Sequence, residues 1–422
     1  MKIFAPLKMV LLAAAFCAAT AIPSPAQHLS TLVSFNGTNG SSAGYANSLV
    51  QGKNENFYGT TTSGGANGEG TIFKITPAGK LTTLHNFCSQ TNCVDGAVPR
   101  SALLQAKNGN FYGTTYQGGA YCVSGNNANT GCGTVFEITA AGQFTSLYSF
   151  CSNNFPCYDG DNPYASLIQG IDGNLYGTTP EGGNNSYDIN CFCNGGGTVF
   201  KITTAGQLTT LYSFCNITNT NGYCFDGAAP IGALVQTSSG DFYGTTYDGG
   251  SGHNGKGGTV FKLSTTGTLT TLYSFCSVTK YCKDGAYPFD GLVQGANGNF
   301  YGVTENGGFR TYGTVFKITP AGALTTLYRF HGSPGLDPYA SLVQGSDGNF
   351  YGTTLQTAFR IGPNGGLSAL YTFCYMPNCQ VGTAPSGLIQ GKNGKFYGTD
   401  NTGGANGLGS VFSLTVPLSQ PE

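Results

Sequence analysis

The chain has 422 residues, only 9% of them charged, with 67 glycines, 15 cysteines and a formal net charge of −1. Without Lys2 and Lys8 the 18 basic residues become 16 against 19 acidic ones, and no Lys/Arg run or stripe occurs, so nucleic acid is excluded as a partner. Glycine follows no three-residue period, and strand-forming residues sit between the glycines, which excludes collagen and simple disorder.

At the N-terminus, Lys2 and Lys8 precede an apolar run over 9–19, and Ser24-Pro25-Ala26 suits a signal peptidase site. Residues 1–26 read as a secretory signal peptide. No later segment holds the roughly 18 consecutive apolar residues of a membrane span. The expectation is a secreted chain, extracellular or at the cell surface, with the periplasm as the alternative compartment.

Beyond the leader a Tyr-Gly motif recurs at Tyr58, Tyr112, Tyr176, Tyr243, Tyr301, Tyr351 and Tyr397, a period in the range of propeller and solenoid arrays. Each copy holds four short segments rich in β-branched and aromatic residues; in the second copy these are 102–105, 110–115, 134–138 and 144–150. Asn108-Gly109 is a hairpin dipeptide, and Gly142 supplies a positive φ to the next turn. Helical periodicity is absent. Phe111 and Tyr112 point to opposite faces of their strand, and both faces meet a neighbouring unit, so the repeated aromatics are structural.

The last copy supplies strands at 387–390, 395–399 and 410–414 and then stops without a fourth. Its missing LTTLYSF-like segment stands at the start of the mature chain, as LSTLVSF over 29–35. Ring closure uses this arrangement, because it removes an exposed strand edge and ties the termini together. The expected fold is all-β: a seven-bladed β-propeller over 27–416, of four-stranded antiparallel blades, with the N-terminal strand outermost in the last blade. Residues 417–422 form a short tail, and the protein is expected to be a monomer.

With the strands of each blade lettered A to D, the A–B and C–D spacings are constant. The B–C connection ranges from four residues (353–356) to twenty (114–133 and 178–197), and the D–A connection varies as well. All variation therefore lies on one face, and such a face of a repeat protein marks its binding surface. The longest insertions fall on blades two to four, between residues 120 and 232.

Fourteen cysteines remain after Cys17, an even number in an exported chain. Ten form close pairs just after strand D: Cys88/Cys93, Cys151/Cys157, Cys215/Cys224, Cys276/Cys282 and Cys374/Cys379. The D–A connections after Phe35 and Phe330 lack both members together, which argues for disulfides within each loop. Cys122, Cys132, Cys191 and Cys193 pair either locally or between blades two and three. No zinc-like ligand set is evident, so no metal and no cofactor are expected.

No nucleophile, zincin or phosphate-loop motif occurs, and the histidines follow no ligand spacing, so no catalytic residue is assigned. An acid recurs in the D–A loops as Asp95, Asp159, Asp226 and Asp284, each before glycine; its plain reading is a capped turn. Candidate binding residues on the variable face are Tyr121, Tyr158, Asp159, Tyr187, Tyr223, Asp226, Tyr281 and Asp284. Tyrosine offers rigid amphipathic area at low entropy cost, suited to sugar rings or to a protein partner.

The pattern LVQGxxGNFYGTTxxGG…GTVFKITxxGxLTTLYSF, carried by Tyr58, Gly59, Gly64, Gly65, Val135, Phe136, Leu147 and Phe150, resembles the GloVer (Gloeo/Verruco-type) tandem-repeat family of exported bacterial proteins. The resemblance implies an extracellular or surface location, often through a C-terminal sorting anchor, and no established activity. The last residues carry no such anchor, and the sixth copy departs with Leu355-Gln356-Thr357-Ala358 in its B–C connection. The turn is also similar to that of two-component-regulator propellers, with Tyr where those carry Trp. The expected function is a binding or adhesion module for carbohydrate or a surface protein, through the long B–C and D–A loops of blades two to four. The alternatives are an extracellular polysaccharide-acting hydrolase or lyase with carboxylates on that face, and an envelope or matrix component without a specific ligand.

Overall fold

A computed structural model describes residues 27–44, 49–121, 132–152, 157–184, 195–218, 222–252, 255–278, 281–332, 335–373 and 383–416. The leader, the tail, Tyr187, Cys122, Cys191, Cys193, Cys374 and Cys379 lie outside them. Seven antiparallel sheets follow one another around a ring. In blade two the strands are Leu104–Gln105, Phe111–Thr115, Thr134–Ile138 and Phe144–Ser149. The described residues hold no α-helix, and a 3-10 turn spans Thr91–Cys93.

The first and last described strands pair as expected. His28–Ser34 pairs antiparallel with Ser410–Thr415 and is the outermost strand of the last blade, after Thr383–Gln390 and Phe396–Thr402. Blade one has an extra short strand, Ser41–Ala43, paired to Phe57–Ser63. In blade two the counterpart is one rung: Ala97 exchanges hydrogen bonds with Gln117 at 2.8 and 3.0 Å.

In blades two to six strand A is shorter than the sequence suggests, whereas in the last blade it reaches back to Thr383. After Ala97 the chain leaves strand B and rejoins it at Leu104. Pro99 has no N–H to offer a ladder here. The freed carbonyls are satisfied from the preceding blade: Thr60 Oγ1 donates to the Ser101 carbonyl at 2.9 Å, and Thr245 Oγ1 to that of Asp290 at 3.0 Å.

The core lies between blades. The motif tyrosine of one blade packs on the motif phenylalanine of the next, Tyr58 on Phe111 at 4.0 Å and Tyr301 on Phe350 at 3.9 Å. Tyr397 on Phe57 at 4.1 Å closes the circle. Where blade three carries Leu175 instead of Phe, Tyr112 shares a core cluster with it. Each buried aromatic contributes roughly 1.5–3 kcal/mol, with about 1 kcal/mol more for a well-placed pair.

The invariant-spacing face is held by polar clasps. The glutamine ending strand A accepts from a backbone N–H in the A–B turn of the blade before it, as Gln105 does from Lys53 and Gln169 from Lys107, both at 2.9 Å. Gln51 accepts from Lys392 at 2.9 Å, so the same clasp joins the last blade to the first. The turn residue tethers the motif tyrosine: Asn108 Nδ2 donates to the Tyr112 hydroxyl at 2.8 Å, while Asp172 accepts from that of Tyr176 at 2.8 Å.

Candidate binding groove on the variable face

Four D–A loops, those after Phe87, Phe150, Phe214 and Phe275, are each organised by a buried aspartate. Asp159 accepts from the Tyr148 hydroxyl of strand D at 2.7 Å and the Ser152 N–H at 3.1 Å. Asp226 accepts from Tyr212 at 2.8 Å and Asn216 N–H at 3.0 Å, and Asp284 from Tyr273 at 2.9 Å and Ser277 N–H at 3.1 Å. Asp95 does the same with His85 and Ser89. After Phe330, where no such acid exists, Tyr328 is within hydrogen-bonding distance of His331 instead, at 3.1 Å.

These carboxylates are buried in their own loops. Burial pushes Asp226 up, while hydrogen bonds from His85, Ser89 and Gln90 outweigh burial and hold Asp95 below its ordinary value. Burial and the neighbouring Asp284 push the Tyr273 phenol up to about 12. The loops are closed by disulfides Cys88–Cys93, Cys151–Cys157, Cys215–Cys224 and Cys276–Cys282, four of the five pairs expected from the sequence. The fifth, Cys374 with Cys379, falls outside the described residues. Among the four cysteines of open pairing, Cys132 alone is described; it is buried, and no disulfide joins it to a described residue.

The Gly-Gly pair after strand B docks onto these loops. Gly308 N–H donates to the Cys282 carbonyl at 2.9 Å, and Gly119, Gly183 and Gly250 repeat the bond to Cys93, Cys157 and Cys224. At Gly307 a Cβ would stand 2.6 Å from that carbonyl, and its φ of +80° lies in the left-handed region. Only glycine lets the two loops press together there.

Seven of the eight exposed large hydrophobics described lie in B–C or D–A loops: Tyr121, Tyr158, Ile217, Phe225, Val278, Tyr281 and Phe309. Tyr281 is the most open, at 72% exposed. Tyr223 is half-buried, with Gly255 backed against its ring.

Tyr281 and Phe309 belong to a groove of about 510 Å³ between the D–A loop leading into blade five and that blade's B–C loop. Tyr287, Asn306, Lys283 and Arg310 also line it. The Arg310 guanidinium sits 5.4 Å from the Phe309 ring centre. Arg310 and Thr311 both have left-handed backbones, φ 53° and 65°, which costs about 1 kcal/mol or more for each non-glycine residue. Tyr281 is readable as a candidate from the sequence. Phe309 and Arg310 escape that reading; their signal is a B–C loop, GGFRTYG, with bulky residues where its counterparts carry small polar ones.

From the groove an aromatic group runs inward to the axis. Tyr287 contacts Tyr247 at 5.0 Å, Tyr247 contacts Phe289 at 5.9 Å, and Phe289 meets Tyr164 at 5.8 Å. The last contact joins blades five and three, so rings occupy the axis at this level. Arg100 lies over Tyr116 at 3.8 Å, with its Nε buried and without a hydrogen-bond partner among the described residues. Tyr247 donates to Glu305 at 3.2 Å, and burial, reinforced by Asp337, raises the Glu305 carboxyl.

Cys132, Cys151, Cys157 and Asp161 bring ligand-type atoms within 4.8 Å of one another. The Cys151–Cys157 disulfide takes two of the four, leaving Cys132 and Asp161 of this group among the described residues.

The ring, its completed last blade and its loop disulfides define a disulfide-bonded seven-bladed β-propeller. The Gloeobacter/Verrucomicrobia repeat matches residues 20–223 and 194–412, and the chain belongs to that family. No curated protein matches the sequence. Among solved structures, a catalytically inactive virginiamycin B lyase from Staphylococcus aureus with quinupristin is similar at 15% identity and a TM-score of 0.59, over 93% of this chain and 100% of that one. The extracellular domain assigned to a hybrid two-component system from B. thetaiotaomicron is similar at 10% identity and a TM-score of 0.57, over 93% of this chain and 40% of that one. At these identities the likeness shows the fold alone.

Proposed function

We propose that the protein is an exported, monomeric binding module that takes carbohydrate in the groove formed by Tyr281, Tyr287 and Phe309. The observation that carries this reading is the groove itself: aromatic walls with one amide and two cations, on the face that bears nearly all the exposed apolar residues. Small-molecule sites are concave and mostly apolar, with a few placed polar groups. The loop disulfides and the leader-like residues 1–26 support export, since such bonds persist in oxidising compartments. The groove moves the emphasis of the sequence reading from blades two to four toward the junction of blades four and five. The insertions at 122–131 and 185–194 lie outside the described residues.

A panel of oligosaccharides titrated against wild type, Tyr281→Ala and Phe309→Ala tests the reading. Both side chains are exposed, so thermal unfolding should be unchanged while affinity falls about tenfold or more in each variant. Equal affinity in all three proteins would remove the groove from consideration. The enzyme reading is favoured by one feature, the half-buried Glu305 bonded to Tyr247 within the aromatic group. Turnover of a bound oligosaccharide that disappears in Glu305→Gln would establish it.

A further inference from the structure

Resting on the carbohydrate reading, we infer that the ligand is an anionic polysaccharide, whose carboxylate or sulfate groups face Lys283 and Arg310. Both cations line the groove and no acidic side chain does. Neither enters an ion pair with a described residue. In a chain with so few charges and a slightly negative total, two cations among the lining of one concavity concentrate positive sign there.

The two come from different loops, Lys283 from the disulfide-closed D–A loop and Arg310 from the B–C loop docked on it through Gly308. Their like charges repel when the groove is empty, and an anion between them reverses that interaction. Arg310 is presented by a left-handed backbone without the help of glycine, and its guanidinium lies against Phe309. A planar guanidinium matches the paired oxygens of a carboxylate or sulfate, while Lys283 adds a point charge. Tyr281, Tyr287 and Phe309 supply apolar surface for the ring faces, and Asn306 an amide for hydroxyls. The site thus reads the charge of the chain and the faces of its sugars separately.

Calorimetric titration of the full chain with galacturonate oligomers, sulfated galactan oligomers and neutral galactan oligomers of equal length decides the matter. At least one anionic series should bind about tenfold or more tightly than the neutral one, with affinity falling as salt is added. Arg310→Gln should lose about tenfold toward the anionic series, with unchanged thermal unfolding. Lys80→Gln, an exposed cation on the opposite face, should titrate as wild type. Preference between the galacturonate and sulfated series identifies the anionic group, and either preference supports the inference. Neutral oligomers binding as well as anionic ones, or an Arg310→Gln protein indistinguishable from wild type, would overturn it and leave the carbohydrate reading standing. Absence of binding by all three series would remove both.

Discussion

Asp400 stands where threonine stands in the other six blades. There, paired hydroxyls such as Thr115 and Thr134, or Thr246 and Thr259, bond across strands B and C at 2.8–2.9 Å. In the last blade Asp400 accepts from Ser410 at 2.6 Å, and its second oxygen is buried without a partner among the described residues. Burial pushes this carboxyl up to about 8 against the opposing Ser410 bonds. The folded value thus lies above the unfolded one. The neutral acid's contribution to stability is complete below about pH 4 and is lost as pH rises through 8. Denaturant unfolding of Asp400→Thr should show a shallower decline between pH 5 and pH 8 than wild type, and at pH 8 the variant should be more stable by about 1–3 kcal/mol. An unchanged pH profile would contradict this role. The substitution is legible in the sequence as GTD in place of GTT; its consequence is not, because burial depends on closure by a strand some 370 residues away.

At the scale of the element, strands B, C and D fall within three residues of where alternation and turn chemistry put them. Strand A does not. Its local pattern is strand-like, but the hydrogen bonds that replace the ladder come from threonines of another blade, and no window along one segment shows that. The D–A loops are legible in their cysteine pairing, because presence and absence go together. The recurring aspartate is legible as a feature, but its bond to the strand D tyrosine is not. Opening one of these loops by Cys215→Ser with Cys224→Ser should cost about 2–3 kcal/mol in denaturant unfolding, the loop-entropy value for a short ring. A loss well under 1 kcal/mol would mean that Asp226 alone holds the loop.

For the whole molecule, the ring can be read from the displaced strand at the N-terminus, and the Gln51–Lys392 clasp shows the same closure on the opposite edge of the seam. The aromatic group on the axis cannot be read, since Tyr164 and Phe289 meet only because separate blades converge there. The groove is of the same kind: Lys283 and Arg310 are separated in sequence and face one space only after Gly307 and Gly308 dock the two loops. On the proposed reading, binding rests on where these two loops meet. Hydrogen exchange of the full chain, free and saturated with the oligosaccharide that titrates, tests that claim most directly. Protection confined to residues 281–287 and 306–311, with the A–B turns unchanged, is the predicted result. Protection at turns such as 107–109 and 171–174, with 281–311 unaffected, would contradict it.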